Sequence, residues 1–284
     1  MPPADSLQPV RPILVADRFA GLGAALIDLL RSLREEQWTL PTVCPGWSVK
    51  DVTSHLLETA CRRLSMGRDG WRPPPPDRPI AEYGDLVAFL NELNAQWVTA
   101  ARRLSPRLLT DLLEIVEPQL AEHLLALDPW APGIPVAWAG ESESHSWFDV
   151  ARELTERWHH QQQIRLATGA PALDEPRLCS PVFETFLRAL PHRYRDVEAP
   201  SGASLAVRIE GRIPYAYTLR REPSGWALLS GEEAEPSARI VLAEEPAWLL
   251  LTKGMTGEAA RGRATIEGDP RLAAPFFGVV AVMA

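Results

Sequence analysis

The sequence predicts two domains, a bundle of α-helices followed by an α+β domain, and three observations carry that reading. Over about the first 170 residues, apolar side chains recur at three-four spacing, the period of a helix. From Ser204 onward the period falls to two, the period of strands. Between these textures, residues 169–180 hold Gly169, Pro171 and Pro176, with Pro181 just beyond, which marks a boundary. A chain of 284 residues suits two domains, with expected ranges 1–172 and 181–284.

Each element has its own local justification. Phe19, Leu22, Leu26, Leu29 and Leu33 lie on one stripe of a first helix. Ser48 and Asp51 form a capping box for a second, with Trp47 and Val52 placed as a hydrophobic staple. Pro45-Gly46 supplies the turn before it, and WRPPPPDRP at 71–79 stops it. Leu86, Leu90, Leu93, Trp97 and Leu104 mark a third helix. A shorter helical stretch follows over 106–127, where Pro118 is expected to kink or split the chain. After a Pro/Gly-rich loop at 128–145, Ser146 and Asp149 repeat the capping signature. That last helix runs to Thr168, with Gly169 as its C-cap.

Beyond the boundary, 181–194 is compatible with a helix. SLAVRIEG, PYAYTLRRE, GWALLSG and SARIVLA are short strands separated by turn residues. PAWLLLTK reads as a helix with proline in its first turn, GRATIEGD as a strand, and 270–283 as a final helix. Strands grouped with a few helices imply an α+β domain.

Composition excludes several classes. Hydrophobic content of 46% and charge of 23% are those of a globular protein. A net charge of −8, with no run of lysine or arginine, argues against nucleic-acid binding. No apolar stretch reaches the ~18 residues that cross a bilayer, so no membrane association is expected. MPPADSLQPVRP lacks the charged start and apolar core of a secretory signal. Cys44, Cys61 and Cys179 are an odd number at irregular spacing, which fits reduced thiols and a cytoplasmic location.

The chemistry concentrates in TERWHHQQQIR. Glu156 and His160 stand four apart, so a helix projects them from one face. His55, in DVTSHLLE just after the capped helix start, is the candidate third ligand. Two imidazoles and a carboxylate leave coordination positions open, the pattern of a catalytic rather than a structural ion, and suit zinc, iron, nickel or manganese. Periodicity alone supports a competing reading. Val150, Leu154 and Trp158 form an apolar face, which leaves Glu156, His160 and Gln163 as a solvated stripe opposite. His55 beside Leu56 and Leu57 equally suits a hydrogen-bonded core histidine. His159 points about 100° from His160, so the two do not serve one ion. His123, His145 and His192 read as structural or exposed, and Cys44 as a packing residue. There is no GxSxG, P-loop, GxGxxG or paired-cysteine zinc signature, which disfavours serine hydrolysis and nucleotide binding.

PTVCPGWSVKDVTSHLLE, followed about 100 residues later by ERWHHQQQIRLATG, resembles the mycothiol-dependent maleylpyruvate isomerase family of the DinB/YfiT-like metalloenzyme superfamily. The resemblance implies an N-terminal DinB-like four-helix bundle holding a divalent metal, usually zinc. His55, Glu156 and His160 fall on its ligand positions. Many relatives carry Asp three residues after the second histidine, where this chain has Gln163. LPHRYRDVEAPSGASLAVRIEG, GWALLSG, PAWLLLTKG and GDPRLAAPFFGVVAVMA are similar to the family's C-terminal sterol-carrier-like α+β domain. An arginine late in that domain is implicated in activity, and Arg263 stands at about its place, with Arg261 close by.

The resemblance implies an isomerase or S-transferase, monomeric or homodimeric, that uses mycothiol or a similar low-molecular-weight thiol on a small electrophile such as maleylpyruvate. Two alternatives remain open on the same residues: a metal-dependent hydrolase, or a non-enzymatic protein that binds a metal or an apolar ligand.

Overall fold

In the computed structural model, which describes residues 7–281, the stripe of Phe19, Leu22, Leu26 and Leu29 is buried along α1 (Phe19–Ser32). The second helix, α2 (Val49–Arg63), starts at the expected capping box. Ser48 Oγ accepts the Asp51 N–H at 3.2 Å, and Asp51 Oδ2 accepts the Ser48 N–H at 3.0 Å. Then follow α3 (Tyr83–Ala101), α4 (Pro106–Leu125) and α5 (Ser146–Thr168), with the proline-rich 71–79 in a loop. Gly169 closes α5 at φ +69°, a conformation that glycine adopts without a steric penalty.

Four of these helices build one core. Leu26, Leu29 and Leu30 of α1 meet Val52, Leu56 and Leu57 of α2, Leu109 and Leu113 of α4, and Ile164 of α5. The third helix contributes Trp97, which packs at the edge of the core and donates its indole N–H to the Ser54 carbonyl at 2.8 Å. The bundle therefore has four core helices with α3 laid against α2.

One expectation needs correction here. The stretch around Pro118 is neither short nor split: α4 is a single 20-residue helix with Pro118 inside it. Pro118 is exposed, so the carbonyl that loses its helical partner lies on the water side. The helix α5 begins at Ser146 as expected, and Asp149 in its first turn also bonds outside it. Its carboxylate accepts the Ile134 N–H of the preceding loop at 3.1 Å and pairs with Arg152.

The remaining elements form a six-stranded sheet with helices. They are β1 (Gln8–Pro9), α6 (Pro176–Leu187), α7 (Leu190–Arg193), β2 (Ser204–Glu210), β3 (Tyr215–Glu222), β4 (Gly225–Ser230), β5 (Ala238–Ala243), α8 (Glu244–Leu251), α9 (Gly257–Arg261), β6 (Thr265–Gly268) and α10 (Pro270–Ala273). Strand order is β1-β4-β3-β2-β5-β6, with β2 and β5 parallel and every other pair antiparallel. In β4 and β5 buried and open residues alternate, as period two demands, whereas Ser204–Val207 of β2 and Tyr217–Leu219 of β3 are buried without a break. The expected 270–283 helix is instead a single turn, α10, followed by a 3-10 turn at Ala274–Gly278; residues 282 and 283 lie outside the described residues. Pro275 lacks the N–H that would extend α10. Neither β1 nor α9 had a periodic signal, since both are too short to show one.

The chain divides into two compact units. One comprises residues 14–131 and 153–173, the other 7–13, 132–152 and 174–281. The first unit holds most of α1 to α5 and the second the six strands, with the segments 7–13 and 132–152 belonging to the second. Within 132–152, Trp138 and Trp147 pack on Phe148 at 5.8 and 5.2 Å, and Arg188, at the end of α6 in the same unit, lies 5.3 Å over the Trp147 ring. Among the described residues, no helix is long and apolar enough to cross a membrane.

Candidate metal centre

The capped start of α2 places His55 in its second turn, on a helix whose residues 51–57 are all buried. Glu156 and His160 come from α5, one helical turn apart. The bundle brings the three together. His55 Nε2 lies 3.0 Å and His160 Nε2 3.1 Å from the same atom, Glu156 Oε1. The three candidate ligand atoms fall within 4.8 Å of one another.

This answers the competing reading of a solvated stripe. Every residue from Arg157 to Ile164 is buried, so α5 is enclosed on all sides over that stretch and the amphipathic pattern does not apply. The glutamines of this stretch each make a hydrogen bond inside the bundle instead, while Gln161 Oε1 is buried without a partner among the described residues. Gln161 donates to the Leu22 carbonyl of α1 at 2.8 Å, and Gln162 accepts the Leu173 N–H at 2.9 Å. Gln163 Oε1 lies 2.8 Å from His160 Nδ1. Glu156 is the open member of the triad, with its side chain 31% exposed against 6% for His55.

The electrostatics favour a cation. Burial opposes the charge of Glu156, but the His160 ring, followed by the His55 hydrogen bond, outweighs it and holds the carboxyl well below its ordinary range. Burial pushes the His55 imidazole down despite the hydrogen bond to Glu156, favouring the neutral form that binds metals. The residues fit a divalent ion on chemistry and spacing. A tetrahedral ion with bonds of 2.0–2.1 Å separates its ligand atoms by about 3.3 Å, close to both Nε2–Oε1 distances here. In addition, His55 Nδ1 is buried without a hydrogen-bonding partner among the described residues.

The other histidines are elsewhere. His159 turns away and sets its Nδ1 2.8 Å from the Thr155 carbonyl, one turn back on its own helix. Burial, reinforced by the neighbouring His160, pushes it down to about 3, so it stays neutral. His123 stands over Gly67, and His192 lies against Gly140. Cys44, in the loop before α2, is half-buried; burial and the Glu156 charge push its thiol up to about 11. Arg263 belongs to the sheet unit, just after α9, where it pairs with Glu245 at 3.5 Å and both side chains are 55% exposed.

Sequence reasoning passed over two contributors. Trp47, expected only as a staple, places its indole 5.1 Å from the His55 ring and 6.5 Å from that of His160. Arg157, next to Glu156, is buried against Glu117 of α4. A polar run in the middle of a long bundle helix was the available signal for both the burial and the pairing.

The family model of the mycothiol maleylpyruvate isomerase N-terminal domain matches residues 19–165, which contain all three candidate ligands. Two crystal structures of a mycothiol-dependent maleylpyruvate isomerase, one of them a mutant, superpose with a TM-score of 0.52. They are 14% and 13% identical to this chain, over 89% of its length and 91% of theirs, so what they share with it is the fold. No curated protein matches the sequence.

Proposed function

The chain belongs to the mycothiol maleylpyruvate isomerase N-terminal domain family, and on that premise we propose that it is a metal- and thiol-dependent isomerase or S-transferase acting on a small electrophile such as maleylpyruvate. One observation carries the proposal: two histidine Nε2 atoms converge on a single carboxylate oxygen inside a helical bundle. His55, Glu156 and His160 are the residues that would hold a divalent ion, zinc first among the candidates. Such an ion, when bound, supplies the positive charge that favours the thiolate form of mycothiol or a similar thiol.

The residues of the chain account for the rest. Bound to an ion, the two imidazoles would serve as neutral nitrogen donors and Glu156 would contribute one negative charge, so a divalent centre would keep a net positive charge for an anionic partner. The partial exposure of Glu156 leaves an approach for small molecules. Trp47 lines that centre with an apolar face beside both imidazoles. A thiolate that adds to an electron-poor double bond turns it into a rotatable single bond, and its expulsion after rotation yields the isomer. If it stays attached, the outcome is S-transfer. Arg263 enters as the group that would grip a substrate carboxylate in bidentate fashion. An ion pair as exposed as Arg263–Glu245 is weak and readily exchanged.

The test is a rate measurement on purified protein with and without zinc, using mycothiol with maleylpyruvate and, separately, with an electrophilic dye. Turnover that needs both metal and thiol is expected. A rate no higher than the metal-free and thiol-free controls would sink the proposal, and metal-dependent turnover without thiol would favour hydrolysis.

A further inference from the structure

We propose that Gln163 is the positioning residue of the centre: its amide oxygen fixes the tautomer and ring orientation of His160, and thereby aims the Nε2 lone pair at the ion. This rests on the metal reading above and goes beyond it, because Gln163 binds no ion itself.

The argument begins with helix geometry. Gln163 lies three residues after His160, a spacing that sets side chains next to each other on one face. Its Oε1 is 2.8 Å from His160 Nδ1, and both residues are buried, at 4% and 6% exposure. An amide oxygen is only an acceptor, so Nδ1 must carry the proton. In the neutral ring the remaining nitrogen, Nε2, has its lone pair free, and it is this atom that faces Glu156 Oε1 at 3.1 Å. A lone pair set against a carboxylate oxygen is the arrangement that a bound cation, or a second ring proton, would satisfy. Of the two neutral tautomers of His160, Gln163 therefore selects the one whose Nε2 can bind an ion.

The neighbouring histidine shows what happens without such a partner. His159 places Nδ1 2.8 Å from the Thr155 carbonyl, four residues back on its own helix. The equivalent bond for His160 would run to the Glu156 carbonyl and lay the ring along the helix. Gln163 offers a side-chain acceptor in its place. The two preceding glutamines are committed elsewhere, Gln161 to Leu22 and Gln162 to Leu173, so among the three only Gln163 serves the centre. His55 has no counterpart: its Nδ1 meets no partner among the described residues, and its ring rests against Trp47. The two histidines are thus held differently, one by a hydrogen bond and one by packing. A neutral amide also adds no charge, unlike a carboxylate in its place, which preserves the net positive character of the loaded centre.

Three proteins decide the matter: wild type, Gln163→Met and Gln163→Glu. Methionine keeps the volume and removes the acceptor, whereas glutamate keeps the acceptor. Zinc affinity is measured by competition with a chelating dye, and folding by the thermal midpoint of the metal-free proteins. Loss of an orienting partner typically weakens a metal site about 10–100-fold. That loss is expected in Gln163→Met, with affinity retained in Gln163→Glu. Equal affinity in all three, or an equal loss in both variants, would overturn the assignment, since a role in filling space would treat them alike. If Gln163→Met does not fold, nitrogen-15 NMR of the wild-type histidines reads the tautomer directly. A proton on His160 Nδ1, with or without zinc, is expected; a neutral His160 protonated on Nε2 instead would overturn the proposal. Wild-type protein that binds no zinc defeats the metal reading itself, and the NMR tautomer still tests Gln163 independently.

Discussion

Arg157 Nη1 donates to Glu117 Oε1 at 2.8 Å, with the two side chains only 2% and 6% exposed. This buried pair ties α5 to α4. The same guanidinium reaches the Leu56 carbonyl on α2 at 3.4 Å, one residue from His55. On the far side of Glu117, α1 passes with Gly23, where a Cβ would lie 3.2 Å from the Glu117 carboxylate. Four helices thus meet around one salt bridge next to the candidate centre.

Removing one partner of such a pair strands a charge in the core. Arg157→Met is expected to destabilise the protein by roughly 3–5 kcal/mol, and the double change Arg157→Met with Glu117→Met to recover much of that loss. Denaturant titration measures both. A single-variant cost no larger than that of an exposed pair, below about 1 kcal/mol, would show that the bridge contributes little.

The metal ligands predict a stoichiometry. Wild-type protein should carry about one divalent ion per chain by elemental analysis, and His55→Ala and His160→Ala should each lose it, because three donors hold an open site and two do not. Metal retained in both variants would remove the triad from consideration.

The cap of α2 predicts an acid limb. Burial opposes the charge of Asp51, but the Arg102 hydrogen bond and the Ser48 cap lower its pKa from the ordinary 3.8. A carboxyl lowered on folding contributes stability that is present above its unfolded value and lost as pH falls through the folded one. Asp51→Asn should therefore cost about 1 kcal/mol at pH 7, and the difference from wild type should shrink as pH drops below 3.8. Arg102 is half-exposed, so salt should weaken part of the effect. A gap between the two proteins that does not change with pH would contradict this.

Cys44 predicts a negative result. With its thiol pushed up to about 11, alkylation by iodoacetamide at pH 7 should be slow and should accelerate as pH rises. Cys44→Ser should leave zinc binding intact, because sulfur is outside the ligand set. Fast labelling at neutral pH would instead point to a reactive thiol beside the centre.

The local grammar of the chain was legible to a large extent. Ser48 and Asp51 announced the start of α2, Gly169 ended α5, and the alternation in SARIVLA and GWALLSG delivered β5 and β4. These signals act within a few residues, through caps, φ preferences and side-chain period, so one sequence carries them whole. Elements too short to have a period, β1 and α9, were invisible for the same reason. Pro118 does not split α4 because its exposure lets water reach the carbonyl left without a helical partner, and exposure is not written in the local sequence.

The site divides along the same line. Residue types and the four-residue spacing nominated Glu156 and His160, the capped start of the second helix pointed to His55 as the third candidate, and a family resemblance supported all three. Spacing alone also supported a solvated stripe, since a helical wheel records direction but not what lies in that direction. Only the packing of α1, α2 and α4 around α5 decided that WHHQQQ is enclosed, that His55 Nε2 meets the same oxygen as His160 Nε2, and that Gln163 turns inward to hold Nδ1. Those are contacts between residues about a hundred positions apart, or between side chains whose rotamers depend on such contacts. Their energies arise from burial, which is a property of the folded chain and of no single segment within it.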